Sequence, residues 1–125
     1  MSFVYDAAVL VAADRNDRLV WAEHRARLEV GMTPVTTSPV VAQVSRSGRQ
    51  AQLRRFLRGC EIEPFAPDEG HAVGALLGAA GTSDVVDAHL LLVAARTAAV
   101  VLTSDLDDLS QLSEQLPSPV PLRQV

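Results

Sequence analysis

Residues 98–108 read Ala-Ala-Val-Val-Leu-Thr-Ser-Asp-Leu-Asp-Asp, and this stretch decides the fold. Its first six residues are apolar or β-branched and predict a short buried strand. Residues 106–116 place apolar side chains at helical spacing and predict an amphipathic helix after that strand. Asp105 stands at the junction of the two elements. A buried strand that leads into a helix is typical of α/β proteins with a parallel sheet.

The beginning of the chain has the same order of strand, acid and helix. Phe3-Val4-Tyr5 is β-prone and ends at Asp6, and residues 7–13 are small and apolar, as in a short buried helix. A third acid, Asp87, lies inside the apolar run Val85-Val86-Asp87-Ala88-His89-Leu90-Leu91-Leu92. Three acids therefore interrupt apolar segments.

A second helix is predicted over residues 16–30, with Asn16 as its N-cap. Its spacing predicts that Leu19, Val20 and Leu28 face inward.

The rest of the chain alternates short strands with helices. The other predicted elements are a strand over residues 34–37, a helix capped by Ser38, a second helix that meets it at Gly48, a strand over residues 61–65, a helix over residues 67–80, a helix capped by Thr82 or Ser83 that runs to about Thr97, and a strand over residues 120–123. This alternation predicts an α/β fold of three layers, α/β/α, with a mainly parallel central sheet. A chain of 125 residues is the size of one domain, so we expect a single domain over residues 1–125.

Composition excludes several classes of acid-rich α/β protein. All eleven positive charges are arginine, and the absence of lysine removes P-loop and Schiff-base chemistry, as well as the lysine-dependent receiver and phosphatase sites. The net charge of −4 argues against a protein that holds nucleic acid by bulk electrostatics, so any such contact must be local.

Cysteine usage and hydropathy indicate a cytoplasmic protein. Cys60 is the single cysteine and has no partner within the chain, and no leader-like segment opens the sequence. The longest apolar runs are shorter than the ~20 residues that cross a bilayer, so we expect no membrane span.

The three interrupting acids predict a shared site. A lone buried carboxylate costs several kcal/mol, so buried acids normally have a partner. Asp6 and Asp105 follow strands, and ligands of open parallel sheets bind beyond the carboxyl ends of the strands. Asp84 and Asp87 are three residues apart near a helix start, where the helix dipole favours negative charge.

Converging carboxylates without a cysteine pair or a histidine set suit hard ions, Mg²⁺ or Mn²⁺ rather than Zn²⁺. Such ions stabilise charge on phosphoryl oxygens and activate water, so phosphodiester hydrolysis is the expected reaction.

At these residues the sequence resembles the PIN-domain family. The matching motifs are Val4-Tyr5-Asp6-Ala7-Ala8, Asp87-Ala88 at the head of an apolar helix, and Thr103-Ser104-Asp105-Leu106-Asp107-Asp108-Leu109. Their order and spacing agree with the family over nearly the whole chain. The resemblance implies a metal-dependent endoribonuclease. Single-stranded or looped RNA is the expected substrate, because its unstacked bases can be splayed into such a site. The resemblance further implies the toxin of a VapBC-type pair, held by a cognate antitoxin and homodimeric.

Five acids receive roles, Asp84 from its spacing to Asp87 and the others from the motifs that resemble the family. Asp6, Asp87 and Asp105 are the expected catalytic residues and metal ligands, with Asp84 or Asp108 as secondary metal ligands. The family usually carries a glutamate on the helix after the second strand, where this chain has Gln43. An amide oxygen can bind a metal but brings no charge, so affinity for a second ion should be lower.

Other interpretations of the acids and of the function stay open at this stage. Asp6 and Asp105 could cap the helices that follow them, and Asp84 and Asp108 could be ordinary helix acids. Thr103 and Ser104 could bond a metal-bound water or cap the last helix. A non-catalytic PIN-like module that binds RNA or a partner, and a phosphatase of small phosphoesters, are the rival functions.

The remaining polar residues give weaker signals. The arginines from Arg46 to Arg58 could grip RNA phosphates or an acidic partner, although a charged helix face is commonly just solvated. His89 is expected to be packing or polar surface, and His24 and His71 have no metal-like spacing. Cys60 is expected to be a small buried hydrophobe.

Overall fold

A computed structural model describes residues 2–125. The strands are β1 Ser2–Tyr5, β2 Val35–Thr37, β3 Glu61–Glu63, β4 Ala99–Thr103 and β5 Leu122–Gln124. The helices are α1 Ala7–Asp14, α2 Arg18–Glu29, α3 Ser38–Val44, α4 Ala51–Leu57, α5 Gly70–Ala80, α6 Val85–Arg96 and α7 Leu106–Ser113, with a 3-10 turn at Pro67–Glu69.

The strands form one parallel sheet in the order β3-β2-β1-β4-β5. From β1 the chain winds outward through β2 to β3, whereas β4 and β5 extend the other side, so the winding reverses between β1 and β4. Tyr5 pairs with Leu102 in the register of these two central strands. The crevice at such a reversal is the usual ligand site of open α/β sheets.

Two groups of helices cover the sheet. Helices α1, α2 and α4 pack against one another, as do α5, α6 and α7, and β1 contacts both α1 and α6. This confirms the predicted three-layer α/β/α architecture with a parallel sheet. Helix α3 contacts α1 and α6, one helix from each group.

The core is apolar around β1, β4 and α6. Val4, Leu90, Leu91 and Val101 are fully buried. These long apolar runs arise because the central strands and α6 are enclosed on both sides, which removes the polar face of an ordinary amphipathic element.

The orientation predicted for α2 was wrong at two positions. Leu19 is 67% and Leu28 39% exposed, whereas His24 is buried. The inward face is instead aromatic, because the His24 ring stacks on Phe56 with centroids 3.9 Å apart. The Nδ1 atom of His24 lies 2.9 Å from the Tyr5 hydroxyl. This contact gives the buried histidine a hydrogen-bond partner within the core.

The predicted helix caps were also displaced by one or two residues. Asp17, rather than Asn16, caps α2 by accepting a hydrogen bond from the Val20 amide. Thr37 caps α3 in place of Ser38, and Asp84 caps α6 in place of Thr82 or Ser83. In each case the capping residue is the last with extended backbone, which is the conformation an N-cap requires.

The last helix is shorter than predicted, since α7 ends at Ser113 rather than at residue 116. The Ser113 hydroxyl accepts a hydrogen bond from the Val120 amide at 2.7 Å and so fixes the chain's return toward β5.

In residues 2–125, no single helix is long and apolar enough to cross a membrane. Segments Pro67–Ala80 and Val85–Arg96 reach that length and composition only as a pair, with a bend of 109° between them.

Candidate active site

The candidate site lies at the carboxyl edge of the sheet, where β1 and β4 end side by side. Asp6 follows β1 directly and its amide donates to the Leu102 carbonyl at 3.0 Å, which fixes it against β4. Asp105 follows β4 after one intervening residue. Neighbouring parallel strands thus bring these two predicted site residues to the same edge.

Both carboxylate oxygens of Asp6 are held by hydrogen bonds. Oδ1 accepts from the Ala7 amide at 2.8 Å, so Asp6 does cap α1, as the structural interpretation of this acid expects. Oδ2 accepts from the Thr103 hydroxyl at 2.7 Å. The same Thr103 oxygen accepts from the Asp105 amide at 2.9 Å. Thr103 therefore links two site acids, a role that the sequence motif alone did not reveal.

Asp87 is the acid with the most perturbed environment. It lies in the first turn of α6 with only 9% of its surface exposed. Burial is the main cause that raises its pKa to about 7, and three neighbouring acids add to the effect. In decreasing order of effect these acids are Asp84, Asp6 and Asp105. The four acids therefore lie close enough for their charges to interact.

Asp105 and Asp108 form the more open side of the cluster, and both are exposed. Partial desolvation is the first cause that raises the pKa of Asp105, followed by the charge of Asp108, with a smaller contribution from Asp6. Asp105 does not cap α7 with its side chain, which leaves its carboxylate available.

Asp84 is exposed, and its Oδ1 accepts a hydrogen bond from the Asp87 amide at 3.0 Å. Asp84 thus caps α6 and also lies next to the buried acid. Its interpretation as an ordinary helix acid and its interpretation as a secondary metal ligand are therefore compatible.

The carboxylate oxygens of the cluster are the ligand type that a hard divalent ion prefers, and their negative charge suits such an ion. In residues 2–125, no arginine or histidine forms an ion pair with any acid of the cluster. The same part of the chain contains no three His, Cys, Asp or Glu side chains already arranged to hold an ion. The acids therefore interact through their charges without forming a closed set of ligands.

Gln43 lies on α3, the helix that contacts α6, and its side chain is exposed. Its predicted role near the second ion stays a prediction.

The histidines and the cysteine are outside the acid cluster. His89 is fully buried and stacks on Phe65 with centroids 4.8 Å apart, in agreement with a packing role. Burial raises the pKa of the Cys60 thiol to about 12, which makes it a poor nucleophile. His24 is buried in the α2–α4 interface, and His71 is exposed on α5.

The three-layer α/β/α fold, with acids at the carboxyl ends of β1 and β4, agrees with the arrangement predicted from the sequence. No protein-family model matches the sequence, and no curated protein matches it. Solved structures do match. A chain of VapBC2 from Rickettsia felis, in a crystal structure bound to a DNA fragment from their promoter, is 19% identical with a TM-score of 0.70 and covers 100% of this chain and 99% of that chain.

The PAE2754 protein of Pyrobaculum aerophilum is 16% identical with a TM-score of 0.62, covering 97% of this chain and 90% of that chain. Together these likenesses confirm the predicted VapC-like PIN fold.

Proposed function

We propose that this chain is a divalent-metal-dependent endoribonuclease and the toxin of a toxin–antitoxin pair. The observation that carries the proposal is Asp87, a buried acid with a pKa raised to about 7 and surrounded by three further acids. Such a cluster without a cation costs stability, and strongly perturbed acids in a crevice are typical of functional sites. A divalent ion would relieve the repulsion and give the cluster its use.

The acids of the cluster would differ in their roles toward a bound ion. Asp6, Asp87 and Asp105 would bind it, with Asp84 or Asp108 as further ligands. When bound, Mg²⁺ or Mn²⁺ would neutralise charge on the phosphoryl oxygens and activate a water for attack. Two hydrogen bonds fix the orientation of Asp6, and burial among acids raises the pKa of Asp87 to about 7, so that only part of it is ionised near neutral pH.

The substrate we propose is single-stranded or looped RNA, because unstacked bases can be splayed into an edge crevice. The fold shared with the VapBC2 chain supports a cognate antitoxin as partner, and we further propose a homodimer. The free thiol of Cys60 is compatible with a reducing cytoplasm.

The test is cleavage of defined RNA oligomers with Mn²⁺, with Mg²⁺ and with a chelator, followed on a sequencing gel. Internal cuts that require the metal support the proposal, and a small chromogenic phosphoester in parallel separates the phosphatase alternative. If the ester is hydrolysed and the RNA stays intact, the protein is a phosphatase rather than a nuclease.

A partner-binding module without catalysis is the second candidate function. It is favoured by Gln43 in place of the family's usual acid and by the lack of a closed ligand set in residues 2–125. Binding of RNA without cleavage at any metal concentration would select this candidate.

We expect Gln43→Glu to tighten Mn²⁺ binding and to raise cleavage at limiting metal about tenfold. The substitution adds a charge to an exposed, nearly isosteric side chain, so packing should scarcely change. Titration of Mn²⁺ against initial cleavage rate measures the effect. Gln52 would be a poor control because its Oε1 is buried without a partner in the described structure. Gln111→Glu, at an exposed position on α7, is the matched control. If both variants bind Mn²⁺ and cleave RNA equally, Gln43 is not part of the site.

We expect Thr103→Val to lower both stability and activity. The change is nearly isosteric but leaves an Asp6 oxygen and the Asp105 amide without their partner, which costs about 1–3 kcal/mol. Loss of a partner that orients a ligand should reduce cleavage about 10–100-fold. Urea unfolding and initial rates give the two quantities.

Thr36→Val is the control, because the buried Thr36 hydroxyl donates to the Tyr5 carbonyl and touches no site acid. It should lose stability and keep its activity. A Thr103→Val protein that cleaves as fast as wild type would show that the orientation of Asp6 is unimportant.

A further inference from the structure

Positive and negative charges are segregated along this chain. Residues 15–58 contain nine of the eleven arginines and three of the fifteen acidic residues, a formal charge of +6. All other residues together have a formal charge of −10. Although the overall charge is −4, the chain contains a basic segment that runs from the end of α1 to the end of α4.

Within this segment, residues 45–50 form an ordered connection between α3 and α4, which we name the arginine loop. The side chain of Gln50 holds it, because Oε1 accepts from the amides of Arg46 and Ser47 at 2.6 and 3.1 Å. The Nε2 atom of Gln50 donates to the Val44 carbonyl and to Asp14 at the end of α1. The loop is thus held to the end of α3 and to the end of α1.

Five exposed arginines extend along this loop and α4. Arg55 lies over the Trp21 ring, 4.6 Å from its centroid, and the other four are Arg46, Arg49, Arg54 and Arg58. Arg46 and Arg54 donate to loop carbonyls, which orients them and leaves further N–H donors. In residues 2–125, the guanidinium groups of Arg49 and Arg58 have neither an ion pair nor a hydrogen bond. Four cations without carboxylate partners remain available to an external anion.

The arginine loop lies about one helix length from the acid cluster, because Gln50 donates to Asp14, the last residue of α1, and Asp6 caps the first turn of that helix. Thr36, one residue before the end of β2, donates to the carbonyl of Tyr5, which directly precedes Asp6. Helix α3 begins two residues later, and its 7 residues span about 10 Å before the loop starts. A stacked nucleic-acid strand covers that distance in about three nucleotide steps.

We propose that Arg46, Arg49, Arg54 and Arg58 form a track for the phosphates of the RNA strand that enters the acid cluster. This inference rests on the proposed nuclease function and names its substrate contact. An acidic cluster repels a polyanion, so a group of cations within reach of the same strand helps RNA to approach it. Arginine suits this role because its planar group binds phosphate oxygens through two parallel hydrogen bonds. An acidic protein segment is the competing occupant, and RNA is favoured because a strand held at the loop can reach the acid cluster within a few nucleotide steps along α3.

The experiment measures binding of a fluorescent 16-nucleotide single-stranded RNA by anisotropy, in chelator, over a range of monovalent salt. Each phosphate contact contributes about 0.7 to the slope of log affinity against log salt. Arg49→Ala and Arg58→Ala should each lower the slope by about 0.7, and the double variant by about 1.4. At 0.1 M salt the double variant should then bind about 25-fold more weakly than wild type.

The control is Arg123→Ala, which removes the same charge from an exposed position on β5, at the opposite edge of the sheet from β3. Its slope should equal that of wild type. Circular dichroism and melting temperature verify that each variant is folded, which exposed positions without side-chain hydrogen bonds to residues 2–125 should allow. The Arg123 guanidinium lies over the Phe3 ring, 5.4 Å from its centroid.

Three results would overturn the track: no binding of RNA by wild type at low salt, loss of slope that is equal in Arg123→Ala, or displacement of RNA by a poly-glutamate peptide at equal or lower concentration. The same RNA is also incubated with Mn²⁺ to separate this inference from the proposed function. If the RNA is cleaved but its binding does not depend on the arginines, the track is wrong and the nuclease function stands. If binding depends on the arginines but the RNA is not cleaved, the nuclease function is wrong and the track stands.

Discussion

Asp87→Asn is expected to abolish Mn²⁺-dependent RNA cleavage while making the metal-free protein more stable at neutral and alkaline pH. The amide keeps the shape of the side chain and removes the charge that a metal ligand needs. A loss of several kcal/mol of metal-mediated stabilisation corresponds to a rate on the order of a thousandfold lower. Function and stability should therefore change in opposite directions.

The gain in stability has a defined pH range. The pKa of Asp87 is about 7 in the folded protein against the ordinary value of 3.8, which we take for the unfolded chain. Below pH 3.8 both states hold the proton, and the carboxyl has no effect on the free energy of unfolding. Between about pH 4 and pH 7 the unfolded chain releases its proton more readily, so the wild-type fold loses stability as pH rises. Asparagine has no proton to release and avoids this loss, by about 1–2 kcal/mol at pH 8 once solvent screening is allowed for.

Urea unfolding of both proteins at pH 4 and pH 8, in chelator, measures this difference. Asp107→Asn is the matched control, because Asp107 is an exposed acid of α7 that does not affect the pKa of Asp87. Cleavage and stability of the control should stay near wild type. If Asp87→Asn unfolds the domain, the carboxylate is a structural partner and its assignment as a metal ligand is wrong.

The sheet could be predicted because its signals are local. The strand, acid and helix around Asp6 and around Asp105 occupy 13 and 15 consecutive residues, and alternation of such units implies parallel pairing. The inward face of α2 could not be predicted in this way. Burial of His24 depends on Tyr5 and Phe56, which are 19 and 32 residues away in the chain, and no pattern within the helix contains them.

The candidate site shows the same division between local and distant information. Asp87 was recognisable because an acid inside an apolar helix requires an explanation. The bond from Thr103 to Asp6 spans 97 residues and exists only because β1 pairs with β4 in one register. Whether the acids close around an ion depends on side-chain rotamers, which sequence spacing does not encode.

The second large effect is expected from Mn²⁺ itself, as a rise of about 10 °C in melting temperature. An ion that binds only the folded state at a hundredfold excess over its dissociation constant stabilises that state by about 2.7 kcal/mol. For a chain of this length, 1 kcal/mol shifts the melting temperature by roughly 4 °C. The shift reports on the metal site without reference to RNA and does not depend on whether the bound ion supports catalysis.

Scanning calorimetry over a Mn²⁺ series, with reversal by chelator, gives this shift for wild type and three variants. Asp107→Asn should retain the full rise, Gln43→Glu should reach it at lower Mn²⁺, and Asp87→Asn should lose most of it. A wild-type protein that is well folded and gains nothing at millimolar Mn²⁺ would contradict the metal site. The acids at the ends of β1 and β4 would then be helix caps and solvated neighbours, and the partner-binding function would be the one that remains.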